Sequence, residues 1–377
     1  MLTQYPPSGF AEAIAAAVLR RALQMLLKPA FSPKVSIARQ RRRLQRLARV
    51  TRVPKGVAFE PADVAGVPGE WVRRQAGPGQ VAPVKPGTLL YLHGGAYCLG
   101  SPRTHRALTG RLALGLGLPV LALDYRLAPE HPFPAALEDA LAAYRVLARQ
   151  GPVVIAGDSA GGGLALAVAL ALRDSGGPAD SCGPGDPGDP AEAAPAALVL
   201  LSPWVDMAMD QAPPAPPKGE AMLSVPWAQA CAALYLGKGV GTGVGTGAGT
   251  DDGATPPGHP WVSPLRAELH GLPPTLIQAG TDEMLHDQAL ALHDALVAAG
   301  VAVQCQITPR RWHVFQLHAG SLRSADEAIA RVLRFVQAAL DALPAGGPIS
   351  STAVAANAAS PVGGSAVLAP GEATDHP

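Results

Sequence analysis

Between residues 88 and 307 the chain repeats one rhythm, a short apolar run followed by a stretch with helical spacing, and few architectures accommodate it. The apolar runs are Thr88–Leu92, Pro119–Leu123, Val153–Ala156, Ala197–Leu201, Thr275–Gln278 and Val301–Ile307. Each is too short for a buried helix and apolar on successive residues, the pattern of a strand covered on both faces. The stretches 103–116, 135–150, 161–173, 287–299 and 324–343 supply the covering helices. Strand and helix in alternation predict an α/β domain with a mostly parallel sheet. Ahead of it, Val, Phe and Trp residues broken by Pro-Gly turns over 57–74 predict an antiparallel pair of edge strands. Two further helical stretches, 11–27 and 35–50, are separated by Lys28-Pro29 and Ser32-Pro33 and read as an accessory layer.

Composition narrows the function classes. Of 377 residues, 48% are hydrophobic and 16% charged, enough apolar material for a large core and too little charge for a disordered chain. A formal net charge of +1 gives no overall field to recruit nucleic acid. The four cysteines, Cys98, Cys182, Cys231 and Cys305, form no CxxC pair and match no zinc spacing, so no metal is expected and a reducing compartment fits. The apolar run from Ala13 to Leu19 follows no basic segment and is cut by Arg20 and Arg21, which is not the form of a secretory signal. No window offers the roughly 18 uncharged apolar residues of a membrane span. A cytoplasmic protein without stable membrane insertion is therefore expected. The glycines of 237–257 lack the Lys-Ser/Thr of a phosphate loop and read, with 175–195, as low-complexity insertions, while 344–377 reads as a disordered tail.

The chemistry concentrates at Gly157-Asp158-Ser159-Ala160-Gly161, a G-x-S-x-G directly after one apolar run and before an apolar helix. Flanking glycines permit a sharp turn that projects the serine hydroxyl above the sheet, and the helix start aims free amides at a reacting carbonyl. A helix-capping serine in a glycine turn is the bland alternative. At the end of the first run, His93-Gly94-Gly95-Ala96-Tyr97 has the form of an oxyanion loop. There the amides of Gly94 and Gly95 would join that of Ala160 around a substrate oxygen, with His93 shaping the loop.

These two motifs, with Asp124-Tyr125-Arg126-Leu127-Ala128-Pro129-Glu130 and its continuation through Ala136, resemble the α/β-hydrolases of the hormone-sensitive lipase family, in the bacterial carboxylesterase and lactone hydrolase branch. The resemblance covers about residues 55 to 340 less the insertions. It implies an α/β-hydrolase fold with a helical cap and ester cleavage without a cofactor. Ala96 departs from the family's third glycine. Segment 1–54 is expected to contribute the cap together with about 204–262, and 55–343 to form the catalytic domain. The order Ser, Asp, His then points to two later loops. Thr281-Asp282-Glu283-Met284-Leu285-His286-Asp287 is similar to the family's acidic loop, with Asp282 at the triad position, Glu283 where many relatives have proline, and Asp287 reading as a helix cap. Trp312-His313-Val314-Phe315 matches the histidine loop, making His313 the general base, while His286, His293 and His318 read as surface histidines. The triad expected is Ser159, Asp282 and His313.

Tyr97, Trp204, Trp227 and Tyr235 are candidate liners of an apolar pocket for a small ester or lactone, with structural packing as the alternative. Arg126 and Glu130 are available for internal pairing. Over residues 37–50, Arg39, Arg41, Arg42, Arg43, Arg46 and Arg49 alternate with apolar residues at helical intervals. A solvated face of a cap helix is the reading preferred over contact with anionic lipid. Neither a nucleic-acid partner nor a cofactor is expected, and a homodimer is left open. Two other functions compete: a non-catalytic ligand-binding protein on the same fold, and an amidase or peptidase using the same three groups.

Overall fold

The computed structural model describes residues 1–49, 51–75, 86–175, 193–209, 217–238 and 253–343, all within one compact unit, Met1–Pro344. The tail 344–377 and most of 175–195 and 237–257 lie outside the described residues.

In chain order the elements are β1 (Leu2–Gln4), α1 (Phe10–Leu26), α2 (Ile37–Ala48), β2 (Val57–Val64), β3 (Val67–Arg74), β4 (Thr88–Leu92), α3 (Pro102–Leu116), β5 (Val120–Leu123) and α4 (Ala135–Ala148). There follow β6 (Val153–Asp158), α5 (Ala160–Ser175), β7 (Ala197–Leu201), α6 (Val225–Tyr235), β8 (Thr275–Gly280), α7 (His286–Ala298), β9 (Val303–Thr308) and α8 (Arg323–Asp341). The described strands form one sheet in the order β1-β9-β8-β7-β6-β4-β5-β3-β2. From β1 to β5 every pairing is parallel; β3 joins β5, and β2 joins β3, antiparallel. Each expected apolar run is thus a strand. The added element is β1, whose three residues pair with Cys305–Ile307 and which carries no strand signal of its own length.

Every residue of β5, β6, β7 and β8 is buried, because helices cover both faces of the parallel sheet. Its carboxyl edge collects the turns after β4, β6, β7, β8 and β9. All the chemistry-bearing motifs of the sequence fall on those turns.

The N-terminal helices are tied to this edge by charge. From α2, Arg41 donates to the Cys98 and Ala128 carbonyls and makes two hydrogen bonds to Glu130 at 2.9 and 2.8 Å. From α1, the buried Glu12 accepts from Arg311 Nη2 and Ser324 Oγ, each at 2.5 Å. Arg126 does not pair with Glu130; it bonds Asp139 and Glu138 on α4.

Candidate active site

Strand β6 stops at Asp158 and helix α5 starts at Ala160, so the turn between them is Ser159 alone. A one-residue turn forces the serine to φ 53°, in the left-handed region that a side chain resists. The flanking glycines are required by contact: a Cβ on Gly157 would run into the Gly161 carbonyl, and one on Gly161 into that of Leu92. The turn is held by Ser159 N donating to Leu201 O at 2.8 Å and by Trp204 N donating to Ser159 O at 2.9 Å. Ser159 Oγ lies 2.9 Å from Nε2 of His313, which is buried on the turn after β9. The structure brings together these two expected residues.

The third expected member is elsewhere. Asp282 pairs with Arg20 of α1 at 2.9 Å, its side chain 23% exposed, and accepts from Thr281 Oγ1. Its neighbour Glu283 points inward. Its side chain is fully buried, with Oε1 3.9 Å from His313 Nδ1, and among the described residues neither of those two atoms has a hydrogen-bond partner. Its other oxygen accepts from Ser202 Oγ at 2.8 Å and Gly280 N at 3.0 Å. Ser202 Oγ in turn accepts from Val314 N at 3.1 Å. Ser202 Oγ and Gly280 N hold the Glu283 carboxylate inward, while Arg20 holds that of Asp282 outward. Glu283, not Asp282, is the acid opposite His313. Burial pulls the His313 pKa down, but the nearby Glu283 carboxylate outweighs it, and the net shift is upward from 6.5. Buried Glu220 adds to that shift; it also orders the backbone nearby, accepting from Met222 N, Leu223 N and Met284 N.

The turn after β4 differs from expectation in one amide. Gly94 N donates to Asp158 Oδ1 at 2.9 Å, so it is already engaged and not free for a substrate oxygen. Among the described residues no acceptor is found for the amides of Gly95, Ala96 or Ala160. Gly95 and Ala96 both border the cavity described below, and Ala96 holds φ 54° where glycine would be relaxed. His93 Nδ1 donates to the Gly94 carbonyl at 2.9 Å, as a loop-shaping residue should. Burial pushes its pKa down to about 3, so the ring is neutral.

Asp158 escaped the sequence reading although it stands inside the motif. It is fully buried and accepts from Tyr91 Oη at 2.6 Å as well as from Gly94, with His105 Nε2 at 3.4 Å. Burial favours the neutral form of each partner, but their mutual attraction prevails, lowering the Asp158 pKa and raising that of His105. The pair is a buried ion pair that ties α3 to the end of β6, and through Gly94 N the same carboxylate holds the turn after β4. An acidic residue enclosed between an apolar strand and two glycines was the available signal, since such a group must find a partner.

Above Ser159 and His313 opens a cavity of about 340 Å³ whose walls include Leu19 and Leu23 of α1, Leu27 just beyond it, Phe31, Met222 and Trp227. Of the four expected liners only Trp227 borders it, stacked on Phe31 at 4.9 Å and donating to Gln40. Tyr97 and Tyr235 stack on each other at 3.8 Å within the core, and the Trp204 indole is buried on the Asp206 carbonyl. These three serve packing, because a buried ring satisfied within the core has no face left for a ligand. His318, expected at the surface, sits half-buried on the cavity wall, and burial holds its pKa near 4. His293 is also buried rather than superficial, bonded to Asp294, and His286 bonds the Gly280 carbonyl. Among the described residues no group of three or more His, Cys, Asp or Glu could hold a metal ion.

A family profile described as the α/β-hydrolase fold matches residues 89–317. An acetyl-hydrolase of Streptomyces hygroscopicus is 39% identical over 306 residues, covering 76% of this chain and 90% of the relative. An esterase of Acinetobacter venetianus is 33% identical over 331 residues, 86% of this chain and 94% of the relative. Among solved structures, the esterase EstE5, from a crystal soaked with p-nitrophenyl butyrate, superposes with a TM-score of 0.70 at 33% identity, covering 89% of this chain and 100% of that one. An esterase of the bacterial hormone-sensitive lipase family gives 0.67 at 33% identity, over 87% and 97% of the two chains. The chain belongs to the α/β-hydrolase family, in its hormone-sensitive lipase branch. Within that branch it is a carboxylesterase-like hydrolase.

Proposed function

We propose that the chain hydrolyses uncharged carboxylic esters, lactones included, through an acyl-enzyme on Ser159. The observation that carries the reading is the 2.9 Å approach of Ser159 Oγ to His313 Nε2 at the floor of an apolar cavity. His313 Nε2 takes the hydroxyl proton as Ser159 Oγ attacks the acyl carbon. Nδ1–H is directed at Glu283 Oε1, which selects the tautomer whose Nε2 accepts and stabilises the imidazolium that forms. The 3.9 Å gap between these atoms is of the kind that tightens once substrate seats. The carbonyl oxygen, as it gains charge, is received by the amides of Gly95, Ala96 and Ala160. His313 then returns the proton to the leaving alkoxide. Water, activated by the same imidazole, frees the acid and restores the serine.

A non-catalytic binding protein would have no need of an imidazole in hydrogen-bond reach of the serine, and an amidase must pass the same geometry with a poorer leaving group. The esterase names of the relatives and the apolar walls favour ester cleavage. The deciding experiment compares p-nitrophenyl butyrate with the matching anilide, on wild type and on Ser159→Ala. Ester turnover lost in the variant is expected; turnover that survives unchanged overturns the assignment.

A further inference from the structure

Helix α1 is apolar on both sides. One side walls the cavity; the opposite side leaves Phe10 82%, Ile14 49%, Val18 65% and Met25 64% exposed. At 100° per residue these four lie within an arc of about 80°, with Arg21 as the charged residue inside it. A helix stripe of this composition is normally covered, and here no described residue covers it.

Helix α2 carries the complementary feature. Arg39, Arg42, Arg43, Arg46 and Arg49 are exposed, the helix Ile37–Ala48 contains no acidic residue, and among the described residues none of the five has an ion-pair partner. Arg41, by contrast, is spent on docking the helix to Glu130. The cavity opens between these two helices, because its lining includes Leu26, 49% exposed, at the end of α1 and exposed Arg52 just beyond α2. Met25 adjoins Leu26, and Arg46 and Arg49 flank the lining residues Leu47 and Ala48. The end of the apolar stripe at Met25 and the end of the uncompensated cationic helix at Arg46 and Arg49 thus adjoin one rim.

We propose that this rim docks on an anionic phospholipid surface. The α1 stripe enters the acyl boundary and the α2 arginines meet the head groups, which brings the helix ends that border the cavity to the bilayer surface. The arginine charge favours an anionic lipid surface over a second copy of the chain, whose own arginines would face these. Docking rests on surface residues alone; its benefit, delivery of ester-bearing amphiphiles to Ser159, rests on the reading above.

The test floats full-length protein with vesicles of phosphatidylglycerol and phosphatidylcholine, and with phosphatidylcholine alone, at low and high salt. Activity on dissolved p-nitrophenyl butyrate is followed separately, so that a failed active-site reading and failed docking remain distinct. Wild type and Ser159→Ala should both float with the anionic vesicles and be released by salt. With each arginine near the surface contributing about fivefold, Arg39→Gln/Arg42→Gln/Arg46→Gln should weaken binding on the order of 100-fold. Ile14→Ser/Val18→Ser should weaken it without removing the salt dependence. Both variants should keep wild-type turnover of the dissolved ester. The proposal is overturned if wild type ignores anionic vesicles or if both variants bind like wild type. It is equally overturned if sedimentation equilibrium shows a wild-type dimer that Ile14→Ser/Val18→Ser dissociates.

Discussion

Exchanging Glu283 for glutamine keeps the shape of the side chain and removes its charge, which isolates what the carboxylate does for His313. At 3.9 Å from Nδ1, the carboxylate and the imidazolium formed during attack interact by about 4 kcal/mol at an effective dielectric constant near 20. At about 1.4 kcal/mol per decade that is roughly a thousandfold in kcat, and a misplaced tautomer extends it toward ~10⁴. The amide of glutamine can present a donor to Nδ1, which would leave the proton on Nε2, facing Ser159. Asp282→Asn removes only a half-exposed ion pair with Arg20, an interaction of about 0 to 1 kcal/mol, and should change kcat less than about fivefold. The assay is steady-state hydrolysis of p-nitrophenyl butyrate, with the fraction of active protein fixed by burst titration and the fold checked by circular dichroism. Glu283→Gln combined with His313→Ala should be no slower than the slower single variant, since the two groups act as one unit. A thousandfold loss in Asp282→Asn with near-normal turnover in Glu283→Gln would refute the reasoning.

Three further outcomes are expected. The acid limb of kcat/KM should lie above pH 6.5 in the wild type, because His313 must be neutral to act as base and its pKa is raised; in Glu283→Gln, burial dominates and the limb should move to lower pH. Across nitrophenyl esters, kcat/KM should climb by up to about fourfold per methylene while the cavity fills, from ~0.8 kcal/mol per buried CH₂. Leu27→Trp, on the cavity wall, should then cost on the order of 10-fold on octanoate, equivalent to nearly two methylenes, and little on acetate. His105→Leu, which leaves Asp158 charged and unpaired, should lose about 3–5 kcal/mol in urea unfolding at neutral pH. In the wild type the contribution of this pair should persist between the two titrations. It fades as pH falls through the lowered Asp158 pKa and as pH rises through the raised His105 pKa.

The sheet was legible because burial on both faces writes itself locally, as unbroken apolar runs. Ser159 and His313 were legible for a related reason: each sits on a turn whose neighbours are constrained by close backbone approach. Choosing between Asp282 and Glu283 depends on groups distant in sequence, with Arg20 claiming one and Ser202 Oγ and Gly280 N orienting the other. Consecutive carboxylates look alike in a sequence; only those distant partners separate them. The same limit misled the reading of Gly94, whose small size was visible but whose amide had already been taken by Asp158. Aromatic residues failed similarly, since Tyr97 and Tyr235 satisfy each other's faces and nothing local foretells the pairing. Strand β1, at three residues, was too short to leave any periodic trace.

The Glu12–Arg311–Ser324 cluster bears on how the protein can be handled. It fastens the first helix to the turn that carries His313 and to the start of α8, while β1 runs alongside β9 at the sheet's edge. Trimming the N-terminus to obtain a tidier fragment would strip an ionic partner from buried Arg311, bare the edge of β9 and take away one wall of the cavity. Movement of α1 as a swinging door is opposed by the same fastening, so substrate is expected to pass between α1 and α2 with both held in place.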